Sequence, residues 1–445
     1  MTTNPAHLLM PHQHPDGKCS HNLLTGPFSR RNLLRGVLAG VALTPVLGLL
    51  EGHVAYATEA GWTGDTLVVL SFRGGMDGLS AIVPAGDPAY YTNRPTIGVP
   101  ASATIPLDNY FGLHPALAPL KTLWTAGQFI PVVAAGLPQP NRSHFDAMVQ
   151  MEAANPGSDT RTGWLGRLLG QHSGYNGTFT AAQIGGGGIP TSLRVADTAD
   201  SALGLDSVAS FTLSGTDNDA DRAHYRTVLT ALHDVETPAA AGTALKTLDA
   251  LDAAATIATK YPEATGANPN PNYPNSDLGK ALADTARMIK ANVGLKVATL
   301  DMGDWDMHSG LGKPDSGWMH DNLTDLAAAI TAFVADIGPA INSTTLVTLS
   351  EFGRRVQENE SAGLDHGWGN VMLVVGGHVT PQKVIGNWPT LADTALTDGD
   401  VTATTDYRAV LADILAHRCG AGPDLLASVF PNYTGLGSLP GVTTS

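Results

Sequence analysis

Five short polar clusters, each beside a run of apolar residues, hold the groups in this sequence that could do chemistry. Arg73-Gly74-Gly75-Met76-Asp77-Gly78 sets one carboxylate in a glycine turn, and Asn141-Arg142-Ser143-His144-Phe145-Asp146 places a serine where a helix could begin. Asp304, Asp306 and His308 follow one apolar run, Ser350-Glu351-Phe352-Gly353-Arg354 closes another, and Asp365-His366-Gly367 precedes a third. Carboxylates and imidazoles without thiols are the donor set of a divalent ion such as Zn, Mn, Mg or Ca. Two ions about 4 Å apart would clamp the attacking and leaving oxygens of a phosphoryl or sulfuryl transfer. A serine at a helix N-terminus supplies the complementary part, because backbone N–H groups and the helix dipole stabilise an alkoxide or bound oxyanion.

Each cluster also has a structural explanation. Ser143 with Asp146 fits a capping box, Asp77 could satisfy only turn backbone, and Glu351 with Arg354 could be an ion pair closing the sheet. His308 or His366 taken singly reads as an ordinary histidine, and His114 in Leu113-His114-Pro115 reads as a packing residue. His144 could donate to an oxyanion or face the other side of its helix. The recurrence of such groups at five separate strand ends is what favours a shared site.

Those ends must be positioned by a sheet. Aliphatic and β-branched runs at Thr66 to Phe72, Phe129 to Ala134, Leu295 to Met302, Thr344 to Ser350 and Val371 to Val375 read as strands buried on both faces. Between them, Leu323, Leu326, Ile330, Phe333 and Ile337 form a helical stripe, with Asp321 as expected N-cap and Gly338 as stop; Leu278, Leu282 and Ile289 form another after Ser276. The pattern predicts an α/β fold, a three-layer sandwich around a mostly parallel sheet, in which ligands bind outside the carboxyl ends of the strands. Residues 201–270, with an Ala-rich stretch from Ala220 to Tyr261 and then Asn268-Pro269-Asn270-Pro271, read as an inserted helical cap and linker. Gly185 to Gly188 lacks the spacing of a nucleotide-binding loop.

Ser29-Arg30-Arg31-Asn32-Leu33-Leu34-Arg35, the apolar run Gly36 to Leu50 and Ala55-Tyr56-Ala57 together read as a twin-arginine export signal. The run falls short of the roughly 20 residues that span a bilayer. Residues 1–57 are therefore expected to be removed, and residues 58–445 to form a soluble domain in the periplasm or outside the cell after passage through the twin-arginine translocase. The chain holds 40 acidic and 25 basic residues, and loss of the leader makes the remainder more acidic still, which disfavours nucleic acid as a partner. Of two cysteines only Cys419 lies beyond the leader, so no internal disulfide and no thiolate metal site is expected.

Taken in order, the leader, Gly74-Gly75-Met76-Asp77-Gly78-Leu79, Leu113-His114-Pro115-Ala116-Leu117, Asn141-Arg142-Ser143-His144-Phe145-Asp146, Trp305-Asp306-Met307-His308, Ser350-Glu351-Phe352-Gly353-Arg354, Asp365-His366-Gly367 and Asp406-Tyr407-Arg408 resemble the bacterial family called domain of unknown function 1501. That family is similar to the alkaline phosphatase and sulfatase superfamily. The resemblance implies Asp77 as first metal ligand, Ser143 as nucleophile, Asp304 with His308 in an Asp-x-x-x-His spacing, Glu351 near an expected Asp-His pair, and His366 as last ligand. Where the family usually has Gly-Gly-Trp-Asp-Thr-His, Asp304 replaces a glycine, so Asp306 is an alternative ligand. Glu351-Phe352 replaces Asp-His and removes one imidazole. No Cys-x-Pro-x-Arg or Ser-x-Pro-x-Arg occurs, which argues against a formylglycine sulfatase.

The expected protein is an exported hydrolase of phosphate or sulfate esters, with a small molecule or glycan ester as substrate and one or two divalent ions held by Asp77, Asp304 or Asp306, His308, Glu351 and His366. Ser143 would attack and Arg142 would balance charge on the transferred group. The alternative is a noncatalytic binding or assembly protein that keeps the fold and at most one structural ion.

Overall fold

The computed structural model describes residues 64–444 except 159–161, 172–178, 187, 196–201, 214, 217, 234–237, 263–271 and 440. The expected export leader, residues 1–57, lies outside the described residues.

Eight strands form the central sheet: β1 (Thr66–Phe72), β2 (Phe129–Gly136), β3 (Ala181–Ile184), β4 (Ala202–Leu205), β5 (Val297–Met302), β6 (Thr344–Ser350), β7 (Asn370–Gly376) and β8 (Thr405–Asp406). Their spatial order is β8-β2-β7-β6-β1-β5-β3-β4. β1 pairs in parallel with β5 on one side and β6 on the other, with Phe72 level with Met302 and with Ser350. Only β7 is reversed, antiparallel to both β6 and β2. Every residue of β6 and β7 is buried, so both faces of the sheet are covered, as a three-layer α/β arrangement requires.

The sheet edge where β1, β5 and β6 end carries the polar clusters, and reversal of β7 matters there. Because β7 runs the other way, its beginning lies at the edge where its neighbours end. Residues ahead of β7 therefore join residues that follow β1, β2, β5 and β6.

Between β2 and β3 lie α1 (His144–Ala153) and α2 (Trp164–Gln171). Helices α3 (Asp219–His233) and α4 (Pro238–Lys260) occupy the Ala-rich stretch, while the start of the expected insertion is the edge strand β4. Helix α5 (Asp277–Ala291) is capped by Ser276, whose side chain accepts from Gly279 N at 3.0 Å. Helix α6 (Trp318–Ile337) begins one turn earlier than Asp321 predicts. Gly317, at φ 100°, makes the turn into it, and Asp321 sits in the first turn, where the helix dipole favours a carboxylate. The stretch Trp318–Ser343 is long and apolar enough to cross a membrane, yet its Leu323, Leu326, Ile330, Phe333 and Ile337 are buried in the protein core.

Candidate metal centre

Three imidazoles converge on one carboxylate oxygen at this edge. Asp306 Oδ1 lies 3.1 Å from His308 Nε2, 3.4 Å from His366 Nε2 and 3.5 Å from His144 Nε2. His144 comes from the first turn of α1, Asp306 and His308 from the loop after β5, and His366 from the loop leading into β7.

The far side of each ring is held. His308 Nδ1 lies 3.1 Å from Asp365 Oδ1 and His366 Nδ1 lies 2.8 Å from the Arg142 carbonyl. A carboxylate and a carbonyl can only accept, so both Nδ1 atoms carry the proton and both Nε2 atoms present lone pairs when neutral. Those two Nε2 atoms are 2.9 Å apart. Two lone pairs at that distance repel unless a proton on one ring or a metal ion stands between them, and a bound ion relieves both at once. His144 Nδ1 stands 3.6 Å from Glu351 Oε1, and its Nε2 is buried without a hydrogen-bond partner.

Donors about 2.1 Å from a tetrahedral ion stand roughly 3.4 Å apart. The distances from Asp306 Oδ1 to the three imidazoles, 3.1 to 3.5 Å, lie near that value, and the ligand atoms of His144, Asp306 and His366 all lie within 4.8 Å of one another. The residues present therefore fit one ion, and imidazole-rich donors suit a borderline metal.

Electrostatics support the arrangement. Burial pushes the Asp306 carboxyl up, but the hydrogen bond and charge of Arg354 outweigh it and hold it below the usual carboxylate range. His366 is pushed down, first by burial and then by the Arg354 charge, against the pull of the Arg142 carbonyl. Asp365 is held down chiefly by its hydrogen bond from His308.

Glu351 is not paired with Arg354. Its carboxylate accepts from Gly74 N at 2.9 Å and from Gly75 N at 2.5 Å, so it pins the turn after β1. Arg354 is buried and donates to the Gly75 carbonyl at 2.7 Å, the Leu364 carbonyl at 2.9 Å and Asp306 Oδ1 at 2.7 Å. Gly74, at φ 111°, leaves no room for a Cβ, which would meet Asp306 N at 2.7 Å. Phe352, at the position where the resemblance implied a histidine, packs its ring 4.9 Å from His144 and 4.6 Å from His366. It supplies a wall instead of a ligand.

Several expected roles change. Asp77 is buried and bound on both oxygens by Arg94, at 2.6 and 2.9 Å, while it caps the helical turn Gly78–Ala81 through Ser80 N. Burial would raise its carboxyl, yet the Arg94 charge and hydrogen bonds hold it low. Asp77 is thus tied into a buried ion pair with Arg94 and joins none of the contacts that unite the cluster. Asp304 occupies a left-handed turn at φ 62° and offers its carbonyl to Asn322. Its carboxylate joins none of the contacts that unite the cluster, so the Asp-x-x-x-His spacing gives way to Asp306-x-His308. The guanidinium of Arg142 is committed to Asp400, and its carbonyl is what reaches the site, through His366.

Ser143 precedes His144 as the N-cap residue of α1, but its side chain makes no capping hydrogen bond. Asp146 is instead bound by Asn141 Nδ2 at 2.6 Å and Gln150 Nε2 at 2.9 Å, so no capping box forms and the hydroxyl is not used in one. Sequence reasoning left His144 open between two faces and overlooked Asp365 as an anchor for His308. Adjacency of Asp365 to His366 was the available signal.

An α/β protein with a histidine and carboxylate centre at the carboxyl edge of its sheet is the class that fold and site define. The chain belongs to the family described as "Protein of unknown function (DUF1501)", whose model matches residues 124–416, a stretch that includes His144, Asp306, His308 and His366. A protein in the alkaline phosphatase superfamily from Vibrio parahaemolyticus is similar at 13% identity, over 79% of this chain and 71% of that one, with a TM-score of 0.29. A candidate sulfatase from Bacteroides thetaiotaomicron is similar at 10% identity, over 83% and 75%, with a TM-score of 0.33. No curated protein matches the chain.

Proposed function

We propose that this protein is a hydrolase of phosphate or sulfate esters that works with one divalent ion, Zn or Mn in class, held by His144, Asp306, His308 and His366. The observation that carries the reading is the 2.9 Å approach of His308 Nε2 to His366 Nε2 with both Nδ1 atoms tied to acceptors. Three imidazoles favour such an ion over Mg or Ca, which take oxygen donors. A single ion, not two, follows from Phe352 in place of an imidazole and from Asp77 bound to Arg94.

When bound, such an ion polarises an ester oxygen and lowers the proton affinity of an oxygen nucleophile. The rest is done by the chain. Arg354 holds Asp306 ionised and in place, Asp365 and the Arg142 carbonyl turn His308 and His366 inward, and Glu351 fixes the Gly74-Gly75 turn beside them. Ser143, one residue before His144 at the positive end of α1, is the nucleophile. Its oxygen bonds to phosphorus or sulfur, the ester oxygen leaves with a proton, and water then releases the acid and restores the serine. The leader residues Ser29 to Arg35 support action after export by the twin-arginine route, in the periplasm or outside the cell.

The test is metal analysis with turnover of aryl phosphate, aryl phosphodiester and aryl sulfate. One equivalent of metal is expected, with activity lost on the order of 100-fold in Ser143→Ala while the metal stays bound. The wall formed by Phe352 favours a second reading, a binding protein with one structural ion; one equivalent of metal and no turnover of any ester would establish it instead.

A further inference from the structure

Asp400 lies outside every polar cluster that defines the centre. It sits in a two-stranded hairpin, Leu396–Thr397 with Asp400–Val401, and its side chain is fully buried. A buried carboxylate without a counterion is costly. Its Oδ2 accepts from Arg142 Nε at 3.0 Å and from Arg142 Nη2, its Oδ1 has no hydrogen bond, and Arg355 Nε stands 3.8 Å away. Arg142 is thus its one hydrogen-bonded partner among the described residues. The same Arg142 offers its carbonyl to His366 Nδ1 and is followed directly by Ser143 and His144. Next to Asp400, the Val401 carbonyl accepts from Gly369 N at 2.9 Å, three residues past His366. The hairpin therefore grips two of the three segments that carry the centre's imidazoles, those of His144 and His366.

We infer that Asp400 is a positioning residue of the metal centre, latching through Arg142 the segment that carries Ser143, His144 and the carbonyl on which His366 turns. The inference rests on the proposed reading of that centre. With Asp400 neutral, Arg142 loses its anchor, the Arg142 carbonyl is no longer held toward Nδ1, and His366 can rotate or exchange tautomers.

Asp400→Asn keeps the shape and removes the charge, and Arg142→Ala opens the latch from its half-exposed end. Both are titrated with Co(II), whose visible spectrum reports coordination geometry, and circular dichroism verifies the fold. In each variant the apparent dissociation constant for Co(II) is expected to rise about 10- to 100-fold, with a changed spectrum. Histidine 15N shifts of the metal-free proteins give a second readout: the wild type holds His366 as the single Nδ1-protonated tautomer, and the variants show a mixture. Unchanged Co(II) affinity, spectrum and tautomer in a folded variant would overturn the inference, and Arg142→Ala decides if Asp400→Asn does not fold. Should the wild type bind no Co(II), the proposed centre fails, while the metal-free tautomers still decide the latch.

Discussion

Gly363 packs against the backbone of His308 so closely that a Cβ at position 363 would stand 2.3 Å from both the carbonyl carbon and the carbonyl oxygen of His308. The contact is part of a small clasp. Asn359 donates to the His308 carbonyl at 2.8 Å and accepts from Gly363 N at 3.0 Å, and its amide also reaches Asp365 Oδ1 at 3.3 Å. Gly363→Ala must push His308 away from Asp306 and His366, because backbone cannot yield as a flexible side chain does. Metal affinity should fall at least about tenfold, with about 1–3 kcal/mol of stability lost to overpacking. Metal titration and thermal unfolding measure both, and a variant with the affinity of the wild type would show that the loop yields without moving the imidazole.

The buried pair Asp77 and Arg94 gives a prediction that separates stability from metal binding. Arg94 also donates to the Val356 carbonyl at 3.0 Å and the Arg355 carbonyl at 3.0 Å, tying the turn after β1 to the chain after β6. Removing one member strands the other, so Arg94→Met should cost about 3–5 kcal/mol. Asp77→Asn should cost a comparable amount. At a temperature where Asp77→Asn remains folded, it should still bind one equivalent of metal. Loss of the ion from folded Asp77→Asn would return Asp77 to the ligand set.

Much of this arrangement was legible in the sequence, for physical reasons that also explain what was not. Thr66–Phe72 and Thr344–Ser350 were read to the residue because strands covered on both faces leave unbroken apolar runs. The last two strands at one end of the sheet, Ala181–Ile184 and Ala202–Leu205, are only four residues each, and small residues such as Ala181, Ala182, Ala202 and Gly204 break any apolar run, so they leave no such mark. Nothing in Val371 to Val375 encodes its direction, although reversal of that strand is what delivers His366. Local spacing named Asp306, His308 and His366 as candidates. It could not show that Arg94 engages Asp77, or that the first turn of α1 aims His144 inward, since both depend on tertiary packing.

Charge around the centre bears on which ester the proposed hydrolase would prefer. Asp306 is matched by Arg354, Arg142 by Asp400, and Arg73 by Glu152 and Asp301. Glu351 and Asp365 remain to offset a divalent ion. No unpaired guanidinium among these residues is left to meet a second negative charge on the substrate. At about pH 8 a phosphate monoester is a dianion, its second pKa being about 6, whereas a sulfate monoester or a phosphodiester carries one charge. Aryl sulfate or diester should therefore be turned over at least about tenfold faster, by kcat/KM, than the matching phosphate monoester. A preference for the monoester would mean that one of these arginines leaves its carboxylate when substrate binds.

His114 predicts how stability depends on pH away from the centre. The residue is 2% exposed, and its Nδ1 accepts from Ala116 N at 3.1 Å, which places the proton of the neutral ring on Nε2. Burial, reinforced by the nearby His320, pushes its pKa from 6.5 down to about 4. The unfolded chain thus takes up a proton at a higher pH than the folded one. Stability is full above about pH 6.5, declines as pH falls toward about 4, and does not return below that. The loss from this one group is at most about 3 kcal/mol. Asparagine can still accept from Ala116 N but cannot titrate, so His114→Asn should flatten the slope across that window while leaving the fold intact. Denaturant unfolding at a series of pH values compares the two proteins, and parallel curves from about pH 6.5 to 4 would show that His114 is protonated in the folded state as readily as in the unfolded one.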